Sequence, residues 1–218
     1  GPRLEWAAMA DLFDTNPPPK PPSATGVRPL ADRIRPARLS EVIGQGRVLG
    51  PDGPLGGMLA SGSLSSLILW GPPGVGKTTI ARLLADETDL AFVQISAIFT
   101  GVPELRKVFD AAKLRRQQGR ATLLFADEIH RFNKAQQDSF LPHMEDGTIL
   151  LVGATTENPS FELNAALLSR AQVIVLERLS LADLELLAQR AERELDRKLP
   201  LTAEAREALL EMADGDGR

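Results

Sequence analysis

One eight-residue segment, at residues 71–78, constrains the fold of this chain more than any other. It reads Gly-Pro-Pro-Gly-Val-Gly-Lys-Thr and matches the pattern G-x-x-x-x-G-K-[ST], directly after an apolar run that ends at Trp70. In that setting glycines let backbone N–H groups curl around a polyphosphate, and the N-terminus of the following helix adds partial positive charge. The segment therefore predicts a nucleotide-binding strand–loop–helix unit. The alternative is an ordinary Gly/Pro turn.

Each residue of this phosphate loop has an expected task. Lys77 is expected to reach the β- and γ-phosphates, where it serves both binding and catalysis, and the Thr78 hydroxyl is expected to ligate Mg²⁺. The other residues expected to line the nucleotide are Gly71, Pro72, Pro73, Gly74, Val75, Gly76 and Thr79.

Short apolar runs alternate with longer helical patterns from Leu64 onward, which predicts an α/β fold with a doubly wound, five-stranded parallel sheet. The runs show little alternation, as is typical of strands covered on both faces. Strands are predicted at residues 67–70, 91–95, 122–126, 148–154 and 172–176. Helices are predicted at residues 78–87, 104–116 and 134–145, with Pro142 expected to kink or interrupt the last one.

The chain divides into three predicted regions. Residues 1–28 are expected to form a disordered leader, because eight of the sixteen prolines fall within the first 36 residues; residues 1–8 also resemble vector sequence. Residues 29–177 are expected to form the nucleotide-binding core. Helical spacing at residues 181–195 and 203–212 predicts that residues 178–218 begin a helical lid, which is expected to be incomplete at Arg218.

Composition excludes several classes of protein. With 25 basic and 29 acidic side chains, the net charge of −4 indicates solubility rather than strong affinity for nucleic acid. The absence of cysteine excludes disulfides, a thiol nucleophile and Cys-ligated zinc, and only His130 and His143 could offer imidazole to a metal. No apolar stretch is long enough to span a membrane and no signal peptide is evident, so a cytoplasmic protein without membrane contact is expected.

An acidic pair completes the predicted chemistry. An apolar strand at residues 122–126 delivers Asp127 and Glu128 to its carboxyl end, where α/β sheets bind ligands. Asp127 is expected to hold Mg²⁺ with Thr78, and Glu128 to orient and polarise the attacking water. The pair indicates ATP hydrolysis, because binding alone would not need Glu128. Two alternatives stay open: both acids cap the next helix, or the protein is an ATP-gated scaffold without productive turnover.

Further motifs resemble the AAA+ ATPases, in the branch of clamp loaders and Holliday-junction motors, and more closely the replication-associated recombination protein A family. They are Asp-Glu-Ile-His-Arg at 127–131, Leu-Ala-Asp-Arg-Ile-Arg-Pro at 30–36 and Gly-Ala-Thr-Thr-Glu-Asn-Pro-Ser-Phe-Glu-Leu-Asn at 153–164. The resemblance covers residue 29 to the end. Its most specific element is the Thr-Thr-Glu-Asn-Pro-Ser-Phe-Glu run.

The resemblance also implies roles for single residues. Thr156, with Asn158 as the rival, would be the polar residue called sensor 1, at the end of the fourth strand. Arg170 would be an arginine finger toward a neighbouring subunit, Arg218 would be sensor 2, and Ser96 would restrain Glu128. The adenine side would be lined by Arg35, Pro36, Val42 and Ile43. For Val42 and Ile43 the alternative is ordinary core packing, and for Arg170 it is an arginine that favours a helix C-terminus.

For function, the resemblance implies an ATPase with ATP and Mg²⁺ as cofactors that acts at stalled replication forks and single-strand/double-strand DNA junctions. Expected partners are DNA, single-strand-binding protein and further copies in a tetramer, in a nucleoid-associated setting. A clamp-loader or branch-migration subunit is the alternative. No basic stretch is continuous in the sequence; His130, Arg131, Asn133 and Lys134 could face a central channel or form a solvated helix start.

Overall fold

The computed structural model describes residues 28–218, so the predicted leader lies almost wholly outside the described residues. Its centre is a parallel sheet of five strands in the order β2-β3-β4-β1-β5. The predicted fold class is confirmed, and each predicted strand lies within one residue of an observed one. The strands are β1 (Leu67–Trp70), β2 (Ala91–Ser96), β3 (Thr122–Asp127), β4 (Ile149–Thr155) and β5 (Gln172–Val175).

Within residues 28–218, ten α-helices surround or extend this sheet. The three helices predicted between strands are present as α4, α5 and α6, and the two predicted after the sheet are α9 and α10. The helices are α1 (Leu30–Arg33), α2 (Gly46–Leu49), α3 (Pro54–Ser61), α4 (Lys77–Glu87), α5 (Val102–Gln117), α6 (Lys134–Glu145), α7 (Pro159–Glu162), α8 (Ala165–Leu168), α9 (Leu181–Leu195) and α10 (Ala203–Ala213).

Helix α6 runs without interruption through Pro142, so the predicted break there is wrong. Pro142 lies in the last turn, where its missing N–H removes one intrahelical hydrogen bond and leaves the preceding turns intact. Its own carbonyl accepts a hydrogen bond from Asp146 N at 3.1 Å. The helix begins at a capping box in which Asn133 Oδ1 accepts from Gln136 N, and Gln136 Oε1 accepts from Asn133 N, both at 2.9 Å.

The sheet has an apolar core on each face, because successive strand residues point to opposite sides. Leu67 and Leu69 of β1 pack toward α3 and α4, whereas Ile68 packs toward α5 and α6. Along β3, Leu123 and Phe125 face the first core, and Leu124 faces the second. The arrangement is that of a doubly wound sheet, with one apolar core on each of its two faces.

The two edge strands depart from the predicted cover on both faces: in β2 Gln94 is exposed, and β5 is more open still. Ile174 is buried in the first core, but Val173 and Val175, on the opposite face, are 38% and 55% exposed. Helices α5 and α6 pack on β3 and β4 and leave this end of the sheet open. The prediction of full cover is therefore wrong for β5.

Helices α9 and α10 are joined by an ion-pair network on one arginine. Arg206 donates to Glu185 at 2.7 and 2.9 Å and to Glu192 at 2.7 Å, which raises the pKa of the guanidinium and lowers the pKa of both carboxyls. Helix α9 also contacts the start of the described chain, since Arg190 donates to Glu41 O at 2.8 Å. Within residues 28–218, no helix combines the length and the apolar character that a membrane crossing requires.

Phe140 provides a test of the second core. Its ring is fully buried and lies 5.5 Å from the rings of both Phe109 and Phe132. Phe140→Ala is expected to lower the free energy of unfolding by about 3–5 kcal/mol, because it removes a buried ring and leaves a cavity. The matched control is Phe99→Ala, since Phe99 is 83% exposed. Urea denaturation measures both, and equal losses in the two variants would contradict this packing.

Candidate active site

The phosphate loop is held at the carboxyl end of β1 by the neighbouring strands. Gly71 N donates to Thr155 O at 3.1 Å, and Leu176 N donates to Trp70 O at 2.7 Å, so main-chain bonds from β4 and β5 reach the first residue of the loop. Gly74 and Gly76 have φ angles of +72° and +106°, which side-chain-bearing residues rarely adopt. The loop conformation therefore requires glycine at these two positions.

Lys77 is the first residue of α4, and its side chain folds back over the loop. Nζ donates to Gly71 O and to Pro72 O, both at 2.7 Å. Burial lowers the pKa of the ammonium, and the negative charge of Asp127 opposes that shift. A polyphosphate in the loop would offer oxygens that replace these two carbonyls as partners of Nζ.

The acidic pair lies at the carboxyl ends of the parallel strands, as the phosphate loop does. Asp127 is the last residue of β3, and its Oδ1 accepts from Glu128 N at 3.0 Å. Glu128 has φ 50° and ψ 44°, a left-handed conformation that is uncommon for a residue with a side chain. Glu128 occupies the N-cap position of a 3₁₀ turn at Ile129–Arg131, but its side chain makes no capping hydrogen bond, and α6 is capped by Asn133. The structure therefore does not support the capping alternative.

The carboxylate of Glu128 is held from one side. Arg131 Nε lies at ion-pair distance from Glu128 Oε2, but outside hydrogen-bond geometry, and this buried oxygen accepts no hydrogen bond from residues 28–218. The Ser96 side chain makes no hydrogen bond to Glu128 in the described part of the chain, which does not support its predicted restraint. The Glu128 carboxylate is thus paired with one charged neighbour, Arg131, and with no hydrogen-bond donor in the described part of the chain.

The residue at the end of β4 is Thr155, so the predicted location of Thr156 is wrong by one position. Thr155 is buried, lies in register with Trp70, and its Oγ1 is 2.9 Å from His130 Nδ1. Thr156 is exposed, and Asn158 caps α7 by accepting from Ser160 N at 3.0 Å. The strand continues one residue farther than predicted because its ladder with β1 extends to the start of the phosphate loop.

The predicted adenine-side residues lie in one segment of the chain but differ in burial and in their approach to the phosphate loop. Val42 packs on the first core, and its Cγ1 would lie 3.8 Å from a Cβ on Gly76, which places it against the phosphate loop. Pro36 and Ile43 are half-buried. Arg35 is exposed and pairs with Asp32 at 3.2 Å, so the structure does not bring its guanidinium to the loop.

Gln45 links the phosphate loop to the segment after β5, which the sequence analysis did not predict. Its Nε2 donates to Glu177 O at 2.8 Å and to Val75 O at 3.4 Å, and its Oε1 accepts from Glu177 N at 3.1 Å. The side chain is almost wholly buried. A lone glutamine between two glycines carries no sequence signal for this role, because all three bonds go to main-chain groups distant in sequence.

Arg170 and Arg218 lie at opposite ends of the parallel strands, and only Arg218 is at the end that carries the phosphate loop. Arg170 precedes β5 and donates to Glu145 Oε1 at 2.6 Å and to Ala166 O at 2.9 Å, near the edge where the parallel strands begin. The phosphate loop of the same chain is at the other end of the strands, where they finish. Arg218 is near the loop, because the preceding residue, Gly217, donates its N–H to Gly74 O at 2.9 Å. The charge of Arg218 lowers the pKa of Lys77, and Asp127 raises the pKa of the guanidinium.

The residues after Glu128 are occupied by local contacts. Asn133 caps α6, Arg131 pairs with Glu128, and His130 contacts Thr155. This favours the interpretation of residues 130–134 as a helix start. Within residues 28–218, no cluster of three or more His, Asp and Glu side chains is arranged as a metal site of its own. The donors that fit Mg²⁺ are the Thr78 hydroxyl and the Asp127 carboxylate, which are oxygen ligands of the kind this ion prefers.

Comparison with known proteins identifies the family. The sequence profile described as "ATPase family associated with various cellular activities (AAA)" matches residues 67–179. Replication-associated recombination protein A of Escherichia coli (strain K12) is 49% identical over 196 residues, which cover 88% of this chain and 44% of that protein. ATPase WRNIP1 of Dictyostelium discoideum is 46% identical over 194 residues, which cover 87% of this chain and 22% of that protein.

Among solved structures, the Thermotoga maritima RuvB Holliday junction branch migration motor matches with a TM-score of 0.68 and 29% identity, over 85% of this chain and 62% of that chain. This chain spans less than half the length of the two curated relatives above. The resemblance predicted from the motifs is confirmed: the chain belongs to the AAA family of ATPases and is similar, within that family, to replication-associated recombination protein A.

Proposed function

We propose that this chain binds ATP with Mg²⁺ and hydrolyses it, as part of a protein that acts on DNA in replication, recombination and repair. The observation that carries the proposal is that the phosphate loop and the acidic pair lie together at the carboxyl ends of the parallel strands. A loop that only binds nucleotide has no need of a second carboxylate, Glu128, directly after β3.

Each residue then has a chemical task. The main-chain N–H groups of the loop and Lys77 hold the β- and γ-phosphates, and Thr78 and Asp127 hold Mg²⁺, which neutralises phosphate charge when bound. The Glu128 carboxylate orients a water and accepts its proton as the water attacks the γ-phosphorus. Pro72, Pro73, Val75 and Thr79 shape the cradle, with Val42 against it on the adenine side.

We propose Thr155, rather than Thr156 or Asn158, as the polar side chain between the acids and the γ-phosphate. It ends the strand that lies between β3 and β1, and therefore between the acidic pair and the phosphate loop. Its contact with His130 ties it to the turn that follows Glu128. The side chain is thus linked to both halves of the site.

Two substitutions separate binding from hydrolysis. Lys77→Ala is expected to weaken ATP binding, because it removes the charge that faces the phosphates, whereas Glu128→Gln is expected to leave binding intact and to lower turnover on the order of 100-fold or more. Nucleotide titration and steady-state phosphate release measure the two effects. Equal hydrolysis by wild type and Glu128→Gln would remove the assigned base, whereas ATP binding without turnover in wild type would favour the ATP-gated scaffold.

We propose that Arg170 completes the site of a neighbouring copy. Its guanidinium is at the sheet edge opposite its own phosphate loop, so it cannot serve the γ-phosphate that this loop holds. Its present partners, Glu145 and Ala166 O, are near the protein surface, where the ion pair is weak and exchangeable. In a ring or spiral of copies, this arginine would neutralise charge that develops during phosphoryl transfer.

Mixing two inactive variants tests this role. Arg170→Ala is expected to lower turnover only in assembled protein, and a mixture with Glu128→Gln chains is expected to recover part of it. In mixed assemblies, an intact Glu128 on one copy meets an intact Arg170 on the next. Phosphate release and sedimentation of the same samples give turnover and assembly. An Arg170→Ala assembly as active as wild type, or an assembled mixture without recovery, would contradict the role in trans.

Helix α5 supports the proposed contact with DNA. Residues 102–120 contain six basic and two acidic side chains, although the whole chain has a net charge of −4. Arg106, Lys113 and Arg116 are exposed and lie near one another on the helix because they are seven and three residues apart. In the described residues, Arg106 and Lys113 have no carboxylate at ion-pair distance, and Arg116 approaches Asp146 only to 3.8 Å. The helix thus gathers a basic surface that the linear sequence does not show as continuous.

A charge-reversal pair tests this surface. Lys113→Glu with Arg116→Glu is expected to weaken binding to forked DNA and to reduce the slope of log K against log salt by about 1–2, because each lost phosphate contact removes about 0.9. Arg197→Glu with Lys198→Glu is the matched control, with the same change of charge at two exposed residues after α9. Fluorescence anisotropy over a salt series measures both. Equal losses would show an effect of net charge alone.

The finer assignments rest on the resemblance. We propose forks and single-strand/double-strand junctions as substrates, single-strand-binding protein as partner, a tetramer of the whole protein, and a cytoplasmic, nucleoid-associated location. The alternative of a branch-migration subunit has the structural likeness to RuvB in its favour. A four-way junction or a sliding clamp that stimulates turnover more than a fork does would favour the branch-migration or the clamp-loader alternative, respectively.

A further inference from the structure

The segment 215–218 lies directly on the phosphate loop. Gly217 N donates to Gly74 O at 2.9 Å. A Cβ placed on Gly74 would lie 1.7 Å from Asp216 Oδ1, so the carboxylate packs against the loop backbone itself. Leu179 N donates to Gly215 O at 3.3 Å and ties the same segment to the stretch after β5. The position of Asp216 is therefore fixed by main-chain contacts on both sides.

Asp216 holds the Arg218 guanidinium by one edge. Oδ1 accepts from Arg218 N at 2.9 Å and from Nε at 3.2 Å, and Oδ2 accepts from Nη2 at 2.9 Å. Nη1 makes no hydrogen bond to any residue from 28 to 218. The carboxylate thus takes the Nε/Nη2 edge and leaves Nη1 and the second Nη2 hydrogen for another anion.

Arg218 follows Gly217, whose N donates to Gly74 O, so the arginine stands at the phosphate loop. Arg218 lowers the pKa of Lys77, and Asp127 raises the pKa of Arg218, so the guanidinium is close to both the phosphate-binding ammonium and the first acid of the pair. The hydrogen bond from Arg218 holds the pKa of Asp216 below its usual range. An anion between Lys77 and Asp127 would meet the guanidinium.

We propose that Asp216 is a positioning residue for recognition of the γ-phosphate, a role that rests on the proposed binding of ATP in this loop. Asp216 fixes the guanidinium side-on before any nucleotide binds. Arg218 therefore loses less rotamer freedom when a triphosphate binds. The free edge is then already oriented toward the terminal phosphate. A diphosphate lacks the group that this edge contacts. Asp216 therefore increases the preference for ATP over ADP through Arg218.

Asp214 provides a matched control two residues away. It also forms an ion pair with an arginine, Arg178, which in addition donates to Asp214 O at 2.9 Å. Neither Arg178 nor Asp214 perturbs the pKa of Lys77. Substitution of Asp214 therefore removes a similar ion pair from the same turn without affecting the guanidinium beside the phosphate loop.

The test measures the dissociation constants of ATPγS and ADP for six proteins: wild type, Asp216→Asn, Arg218→Gln, Arg218→Lys, the double variant Asp216→Asn/Arg218→Gln, and Asp214→Asn. Asp216→Asn is expected to weaken ATPγS on the order of tenfold and ADP less than about twofold, because one charge-assisted pair no longer orients the arginine. Arg218→Lys keeps the charge but cannot be held side-on, and it is expected to lose the same discrimination. Asp214→Asn is expected to change neither constant.

The double variant shows whether Asp216 acts through Arg218. In the Arg218→Gln background, Asp216→Asn is expected to cause no further loss of ATPγS affinity. A further loss of similar size there, an unchanged ATPγS/ADP preference in Asp216→Asn, or an equal effect of Asp214→Asn would each overturn the inference. In those cases wild type still binds ATPγS and the proposed function stands, whereas a wild-type chain that binds neither nucleotide would refute both.

Discussion

The main-chain hydrogen bonds between β1 and its two neighbours are the constraint on which the site depends. Thr155 O and Leu176 N extend the ladders of β4 and β5 to Gly71 and Trp70, so the first residue of the phosphate loop belongs to the sheet. The two left-handed glycines then turn the chain into α4, whose N-terminus faces the loop. A rigid sheet edge thus supports a turn that few residues can adopt, and that turn presents the N–H groups of the phosphate cradle.

The shared carboxyl end of the strands explains how residues distant in sequence come together. The acidic pair comes from β3, the phosphate loop from β1, and Thr155 from the strand between them, because the order β3-β4-β1 aligns three carboxyl ends. The segments at Gln45 and at 215–218 close the site by hydrogen bonds to main-chain groups of Val75 and Gly74. Arg170, before β5, lies at the opposite edge, and this separation is what makes a second copy part of the proposed mechanism.

Much of the fold and part of the site could be predicted from the sequence, for identifiable reasons. Uninterrupted apolar runs located all five strands, because residues buried on both faces must all be apolar. The phosphate loop and the acidic pair were evident since their residues are adjacent in sequence. Pro142 was misjudged because its cost depends on its place in the helix, and Val173 and Val175 because local sequence does not show which strand is at an edge.

Contacts between segments distant in sequence could not be predicted. Gln45 bonds across 132 residues to Glu177, and Gly217 reaches back to Gly74, so neither leaves a local pattern. The shift from Thr156 to Thr155 has the same origin, since the end of β4 is set by its pairing with β1. The basic surface of α5 emerges only when helical spacing brings Arg106, Lys113 and Arg116 together. Sequence reasoning thus predicted the phosphate loop and the acidic pair, and only the tertiary hydrogen bonds show which distant segments lie against them.

The most direct test is a crystal structure of the chain with Mg²⁺ and ATPγS. We predict that the phosphates lie at the N-terminus of α4, that Lys77 Nζ leaves Gly71 O and Pro72 O for phosphate oxygens, and that the metal ion lies within reach of Thr78 and Asp127. A structure in which Lys77 keeps both carbonyl bonds while the nucleotide binds elsewhere would contradict the proposed site.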